Sequence, residues 1–492
     1  MKNKKVLKII ILTICLILIF FSIFMKLRFN NVSFELLLFS IFTSKGGNFD
    51  ILLYGILFVV SGVLIGLGII YLLKLFYKKV LNKKISFLDK LSDKKKSIIK
   101  LFIYIIIVII SITCLLRILK IDTYIMSQSK ETNLFEEYYV DGRDIKITFP
   151  EEKRNLIYIY VESLESTNIS KKNGGLVKES YIPNLEKLAL KNVNFSNSDK
   201  IGGALQVNNT DWTMAALISH TSGIPFKISM DTNFYNNYIN SFPGVYNLGD
   251  ILEENGYNNY FMIGSDAEFG GRKSFFETHG NYTIYDYYYA IENKDIEEDY
   301  FVWWGYEDKK LFEYAKEKIL EANELEEPFN FTLLTVDTHF TDGYMDDSCE
   351  EVFDNKYANS FYCSDLKIGE FIDWIKEQDF YENTTIVIVG DHMTMQSNFY
   401  ELDKNYQRTI YNTFINSKIE PEKEKNRLFS TLDFFPTTLA SLGVEIEGNK
   451  LGLGVNLFSE EKTLVEKLGL ENLNKEISKK SSYYDNIIIG KE

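Results

Sequence analysis

The sequence predicts a largely parallel α/β domain preceded by a helical membrane region, and three observations point there. Strand-like apolar runs alternate with helical ones from about residue 155 onward, the pattern of a parallel sheet flanked by helices. Three apolar stretches near the start each approach the roughly 20 residues that cross a bilayer. Charge is also divided: residues 1–120 carry 19 Lys and Arg against 4 Asp and Glu, and that +15, set against the whole-chain −14, leaves −29 for residues 121–492. A basic apolar front joined to an acidic polar back describes an anchor and a water-soluble domain. Nucleic acid is excluded as a partner, because its binding depends on neutralising phosphates. An anionic substrate would need a cation or a local Arg/Lys cluster.

The expected membrane spans are 6–25, 51–73 and 98–119, which make 1–120 an anchor of three helices. Lys8, Lys100 and Arg117 lie near span ends, where long cationic side chains can snorkel; Gly62 and Gly66 offer a small-residue face to a neighbouring helix. No small-residue cleavage site follows the first segment, so it reads as an anchor and not a signal peptide. The run Phe34–Phe42 is too short to cross and reads as interfacial or re-entrant. Three lysines in residues 2–5 and ten in 74–100, against three basic residues in 26–50, place the N-terminus and the 74–100 loop in the cytoplasm. Three crossings then put the catalytic domain outside a cell membrane.

Residues 121–150 read as a polar linker with some amphipathic helical character. Beyond it, Leu156–Val161 is a buried strand, Pro183–Leu190 a helix opened by its proline, and Thr213–Ser219 a short helix. Leu248–Asn255 is a helix and Tyr260–Ile263 a strand. Asp308–Ala322 is a long amphipathic helix and Phe329–Val336 a strand, followed by the helix Lys367–Gln378 and the strand Thr385–Val389. The charged tail 461–492 is expected to be peripheral to a catalytic domain at 151–460.

Ligands of such sheets sit beyond the carboxyl ends of the strands. Three strands end in useful chemistry: Glu162 after LIYIYV, Asp337-Thr338-His339 after FNFTLLTV, and Asp391-His392 after TTIVIVG. Two of only four histidines fall here. Glu162, Asp391 and His392 are an oxygen/nitrogen set suited to Mn²⁺, Mg²⁺ or Zn²⁺, with a coordination position left open; taken singly, each equally suits a helix cap or a loop hydrogen bond. Thr213 opens an apolar helix, where backbone N–H groups and the helix dipole stabilise an anion. It is a candidate nucleophile, although Thr210, Asp211 or Thr213 could equally cap that helix. Cys15 and Cys114 lie in apolar runs. Cys349 and Cys363 lie close together in a polar stretch and suit a disulfide if the domain is extracytoplasmic.

The segments NLIYIYVES, TDWTMAALISHTSGIP, LGDILEENGY, TLLTVDTHFTDGY, IVIVGDHM, STLDFFPTTLASLG and GLGVNLFS occur in this order over about 150–460. Together they closely resemble the phosphoglycerol transferase branch of the alkaline phosphatase superfamily. That branch includes the enzyme that decorates membrane-derived oligosaccharides and, more distantly, lipoteichoic acid synthase. The resemblance implies an alkaline-phosphatase-like, mostly parallel sheet. It implies a metal site of Glu162, Thr213, Asp391 and His392, with Thr213 as nucleophile and one divalent metal, foremost Mn²⁺. His339 matches a histidine that contacts the substrate phosphate and assists proton transfer. Arg272, in FGGRKSFFETHG, matches an arginine kept for the glycerol phosphate group; Ile263 replaces a histidine found in the synthases, so the headgroup pocket differs there. The implied donor is phosphatidylglycerol at the membrane lipid surface, and the acceptor a glycan or a teichoic-type polymer. A phosphoethanolamine transferase and a non-catalytic scaffold are the competing readings. His220 and His279 read as packing residues, and Trp303 and Trp304 as core or membrane-facing aromatics, one of which could stack on a sugar.

Overall fold

The computed structural model describes residues 2–29, 34–42, 49–80, 92–228, 242–396 and 398–490. Residues 81–91 of the basic loop and the aromatic residues within 229–241 lie outside the described residues. The chain packs as two units, 1–38 with 47–126, and 39–46 with 127–492.

In the first unit, Val6–Arg28, Leu53–Phe76 and Ser97–Ile118 are long and apolar enough to cross a membrane. Their apolar side chains face outward: Ile9, Leu64 and Phe102 are each at least 60% exposed, a surface that water would not tolerate but lipid would. The glycine face is used. Phe20 lies where a Cβ on Gly62 would stand, 2.4 Å from it, and Leu16 covers Gly66, so the helices Lys2–Phe29 and Phe49–Val80 approach closely. The run Phe34–Phe42 forms a nine-residue helix, too short to span.

The second unit is built on a seven-stranded sheet of order β3-β8-β7-β2-β6-β4-β5. Its strands are β2 (Asn155–Val161), β3 (Gly203–Ala204), β4 (Asn258–Ile263), β5 (Thr283–Tyr285), β6 (Phe329–Leu334), β7 (Thr384–Gly390) and β8 (Ile410–Ile415). The five strands β7, β2, β6, β4 and β5 are parallel, and β8 and β3 close one edge antiparallel. Helices cover both faces, so β2, β6 and β7 are buried along their whole lengths and read as continuous apolar runs without alternation. Two short ribbons lie outside: β1 (Ile147–Thr148) pairs with β9 (Glu445–Ile446), and β10 (Lys450–Leu451) with β11 (Gly454–Val455).

Three segments depart from expectation. Residues 127–150 pack as part of the second unit, tied by the β1–β9 pair and by Val140 N–H donating to Gly452 O at 2.9 Å. The helix expected at Lys367–Gln378 runs Lys356–Lys376; Asn355 caps it by accepting from the N–H groups of Tyr357 and Ala358. The tail is not peripheral: Leu473, Ile477, Tyr484 and Ile488 are fully buried. Its charges occupy the outer face of short helices whose inner stripe packs inward, a pattern that net composition conceals.

Cys349 and Cys363 form a disulfide, Cα–Cα 5.6 Å, that joins the segment after β6 to the helix Lys356–Lys376. Lys367 Nζ lies 2.9 Å from one sulfur and 3.2 Å from the other, and pairs with Asp346. Closing a loop of this length contributes about 3 kcal/mol by restricting the unfolded chain. The double replacement Cys349→Ser, Cys363→Ser should therefore lower the melting temperature in oxidising buffer and leave it unchanged relative to the parent under reductant. Equal melting in both buffers would mean that the crosslink does not stabilise the fold.

Candidate functional site

The central strand β2 lies between β6 and β7 in parallel register, with Tyr160 opposite Leu334 on one side and Val161 opposite Gly390 on the other. The residues that leave β2 and β7 at the same level are Glu162 and Asp391. Neighbouring strands are about 4.8 Å apart, so two carboxylates are forced together at one rim. Gly390 permits this closeness, since a Cβ there would stand 1.9 Å from the Leu164 carbonyl oxygen.

Both carboxylates are buried and individually tethered. Ser163 Oγ donates to Glu162 Oε1 at 2.7 Å. Asp391 Oδ1 accepts from the backbone N–H groups of Ser163 and His392, each at 2.7 Å. Asp391 Oδ2 has no hydrogen bond, a costly state for a buried charge. His392 completes the group: its Nδ1 meets the Met393 carbonyl oxygen at 3.0 Å, so that nitrogen carries the proton. Nε2 then faces inward, 3.5 Å from Glu162 Oε1 and 3.4 Å from Asp391 Oδ2. One ligand atom from each of the three residues falls within 4.8 Å of the others. Three converging donors, one an orphaned carboxylate oxygen, fit a divalent cation, and the imidazole is oriented by a backbone carbonyl as ligating histidines are.

Thr213 joins them. It is the first residue of the helix Thr213–Ser222, and its Oγ1 donates to Glu162 Oε2 at 3.3 Å. Trp212, with extended backbone, is the N-cap residue, and the hydroxyl of Thr213 one position on is directed to Glu162. The structure thus brings Glu162, Thr213, Asp391 and His392 to one place.

His339 stands on the loop after β6. Its Nδ1 meets the Phe340 carbonyl oxygen at 2.6 Å, which leaves Nε2 as the nitrogen able to accept a proton. Burial, only partly offset by the bond to Phe340, lowers its pKa to about 4, so the ring rests neutral. The charges of His392, Asp391 and Arg272 all bear on it. Arg272 is buried, donates to the Asp266 carbonyl oxygen at 2.7 Å and lies over the Phe269 ring. The cysteines lie in the disulfide already described.

His220 and His279 stay outside. His220 is fully buried behind the rim, stacked on Tyr160 and edge-on to Phe434; burial lowers its pKa to about 3. His279 pairs with Asp250 at 3.0 Å at the start of the helix Leu248–Glu254. Trp304 is closer to the chemistry than the sequence suggests, because its ring sits edge-on to His339 with centroids 4.7 Å apart. The sequence carried no sign of this, since the turn bearing Trp303 and Trp304 is brought to the rim by tertiary contacts, among them the bond of Tyr306 N–H to Gly264 O after β4 and the bridge between Gly305 and Ser265. Ser163, Thr335 and Thr338 were also missed: Thr335 Oγ1 accepts from Glu162 N–H at 3.1 Å, and Thr338 Oγ1 donates to Glu162 O at 2.6 Å.

Residues 154–444 match the sulfatase family. Phosphoglycerol transferase I from Escherichia coli is 31% identical over 347 residues, covering 68% of this chain and 43% of that protein; the Shigella boydii protein of the same name gives the same figures. The chain thus aligns with less than half the length of these relatives. Among solved structures, the lipoteichoic acid synthase LtaP from Listeria monocytogenes is similar at 19% identity and TM-score 0.50, covering 66% of this chain and 81% of that one. The integral membrane lipooligosaccharide phosphoethanolamine transferase A from Neisseria meningitidis is similar at 14% identity and TM-score 0.50, covering 89% and 84%. Both likenesses show the fold.

Burial and the charge of Glu162 raise the Asp391 pKa to about 7. Burial works against a charged His392, but Asp391 and Glu162 outweigh it and hold that ring above its ordinary value. Cations compete with these protons. Apparent Mn²⁺ affinity should therefore weaken as pH falls from about 7 to 6 and level off above, with protons released on binding. Calorimetry in buffers of different ionisation enthalpy counts them. An affinity independent of pH, or one kept by Asp391→Asn, would remove the cation from this site.

Proposed function

The chain belongs to the sulfatase family within the alkaline phosphatase superfamily, and from that premise we propose that it is a membrane-anchored, divalent-metal-dependent phosphoglycerol transferase. The proposed donor is phosphatidylglycerol and the proposed acceptor a cell-envelope glycan or teichoic-type polymer. One observation carries the reading: a threonine hydroxyl at a helix N-terminus, hydrogen-bonded to one of two adjoining carboxylates that His392 accompanies. Identity of 31% to a phosphoglycerol transferase supports the headgroup. A sulfate ester hydrolase of this family needs a modifiable Cys or Ser where Thr213 stands.

Glu162, Asp391 and His392 would hold the cation, with Thr213 beside it; Mn²⁺ suits their oxygen-rich set. When bound, it supplies charge that lowers the pKa of a neighbouring hydroxyl and polarises a phosphoryl oxygen. Thr213 Oγ1 attacks phosphorus, its bond to the diacylglycerol oxygen breaks, and a glycerophospho-threonine remains. His339 Nε2 receives the Thr213 proton and delivers it to the departing diacylglycerol. In the second half-reaction an acceptor hydroxyl gives its proton to the same nitrogen and attacks phosphorus, and the Thr213 oxygen leaves and recovers the proton. Arg272, whose charge bears on His339, would contact the phosphate or the glycerol. The anchor keeps the site at the bilayer surface where a lipid donor lies, at high effective concentration. The excess of lysine in 2–5 and 74–100 supports a cytoplasmic N-terminus and an extracytoplasmic catalytic unit.

The full chain in detergent with Mn²⁺ should release diacylglycerol from fluorescent phosphatidylglycerol and much less from phosphatidylethanolamine. Thr213→Ala should lower release by about 10³-fold or more. Equal release by both proteins defeats the nucleophile, and preference for phosphatidylethanolamine defeats the headgroup.

A further inference from the structure

His339 and His392 stand on different loops, after β6 and after β7, and the proposed reaction needs them in fixed relation. Neither β-strand pairing nor the disulfide joins these loop tips. A side-chain bridge does. Gln396 Nε2 donates to Asp342 Oδ1 at 2.7 Å, and the Asp342 N–H donates to Gln396 Oε1 at 2.9 Å. The bridge is three residues beyond His339 on one side and four beyond His392 on the other.

Both partners are specific to it. Asp342 has φ +64, a left-handed conformation that Asp and Asn tolerate better than most residues, and it turns both its N–H and its carboxylate toward the other loop. A primary amide presents one donor and one acceptor side by side, the pair that this carboxylate and N–H demand. The far loop is itself held. Gln396 N–H donates to Thr394 Oγ1 at 3.2 Å, and Thr394 N–H donates to Glu165 Oε1 at 3.0 Å, a carboxylate that Arg408 clamps with two nitrogens. Tyr357 braces the base of both loops, donating to Thr338 O and sharing a hydrogen bond with Thr394 Oγ1, each at 2.8 Å. Tyr357 thus ties the bases of the two loops, and the Asp342–Gln396 bridge ties their tips.

We propose that Asp342 and Gln396 are positioning residues whose reciprocal hydrogen bonds hold His339 Nε2 in register with Thr213 and the His392 loop, so that proton delivery to an alkoxide leaving group depends on them. The inference rests on the function proposed above. Its chemistry supplies a selective signature. Alkoxides such as diacylglycerol leave poorly without a proton, whereas a nitrophenolate leaves without one. Uptake of the Thr213 proton serves both donors, so loss of register should be felt more strongly with the lipid donor, which also needs that proton delivered, than with an aryl donor.

Gln396→Glu replaces the donor with a second carboxylate against Asp342 and breaks the bridge. Adding Asp342→Asn restores it with the roles exchanged, because the new carboxylate can accept from both the residue 342 N–H and the new amide. In the full chain with Mn²⁺, Gln396→Glu should lower first-turnover release of diacylglycerol from phosphatidylglycerol by about 10²-fold and that of nitrophenol from glycerophospho-p-nitrophenol by only about tenfold. The double variant should recover the lipid reaction, with Mn²⁺ affinity alike in all three proteins. Equal losses on the two donors, or failure of the double variant to recover, overturns the proposal. A readout independent of turnover separates this inference from the proposed function. With ¹⁵N-histidine labelling of a chain that has only four histidines, the His339 ring signals should shift in Gln396→Glu and return in the double variant, while the Nδ1–H held by Phe340 O persists in all three. If the parent protein turns over neither donor, the proposed function falls, and the His339 ring shift alone decides the bridge.

Discussion

The site depends on two carboxylates that have no room to separate. Glu162 and Asp391 leave adjacent parallel strands at one level, buried, with Gly390 and the Leu164 carbonyl oxygen closing the space behind them. Two negative charges in such a place repel strongly at low dielectric, and burial adds a further penalty. The raised Asp391 pKa expresses its burial first and the charge of Glu162 second. Backbone N–H groups satisfy Asp391 Oδ1, and nothing satisfies Oδ2. A proton or a cation has to fill the deficit, and under the proposed function a cation would do so beside the inward Nε2 of His392.

Much of this was legible in the sequence, for a definite reason. A parallel sheet buried on both faces needs uninterrupted apolar strands, so each strand end is marked by the first polar residue after the run, and parallel order sends those residues to one edge. Glu162, Asp391 and the segment Asp337 to His339 were readable on that ground. Thr213 was readable as a helix start and a candidate nucleophile, but capping and catalysis ask for the same hydroxyl, and the sequence could not show that this hydroxyl is directed to Glu162.

What stayed hidden belongs to long-range packing. The strand β8 (IYNTFI) carries Asn412 and Thr413 and runs antiparallel between β7 and the two-residue edge strand β3, so neither a continuous apolar run nor alternation marks it. The helix from Lys356 begins in a segment with polar side chains at Asn359, Ser360 and Ser364 that are buried against neighbours the sequence does not name. Trp304 and Gln396 reach the rim through loops whose course depends on tertiary hydrogen bonds, and no local pattern encodes such a course.

The acidity of the second unit bears on the proposed chemistry. A phosphodiester approaching Glu162 and Asp391 without a cation meets like charge, and Thr213, donating to Glu162, keeps its proton. The helix N-terminus favours an anion at the same point, but a helix dipole contributes only about 0.3–1 kcal/mol at most sites, less than a close buried carboxylate opposes. The resting balance therefore runs against attack on phosphorus. A single divalent charge reverses it for substrate and nucleophile together, since both are repelled by the same two carboxylates. The arrangement that makes the site hostile to an anionic donor without a cation is then the one that would make a cation effective, and His339, which rests neutral, adds no competing charge until it takes up a proton.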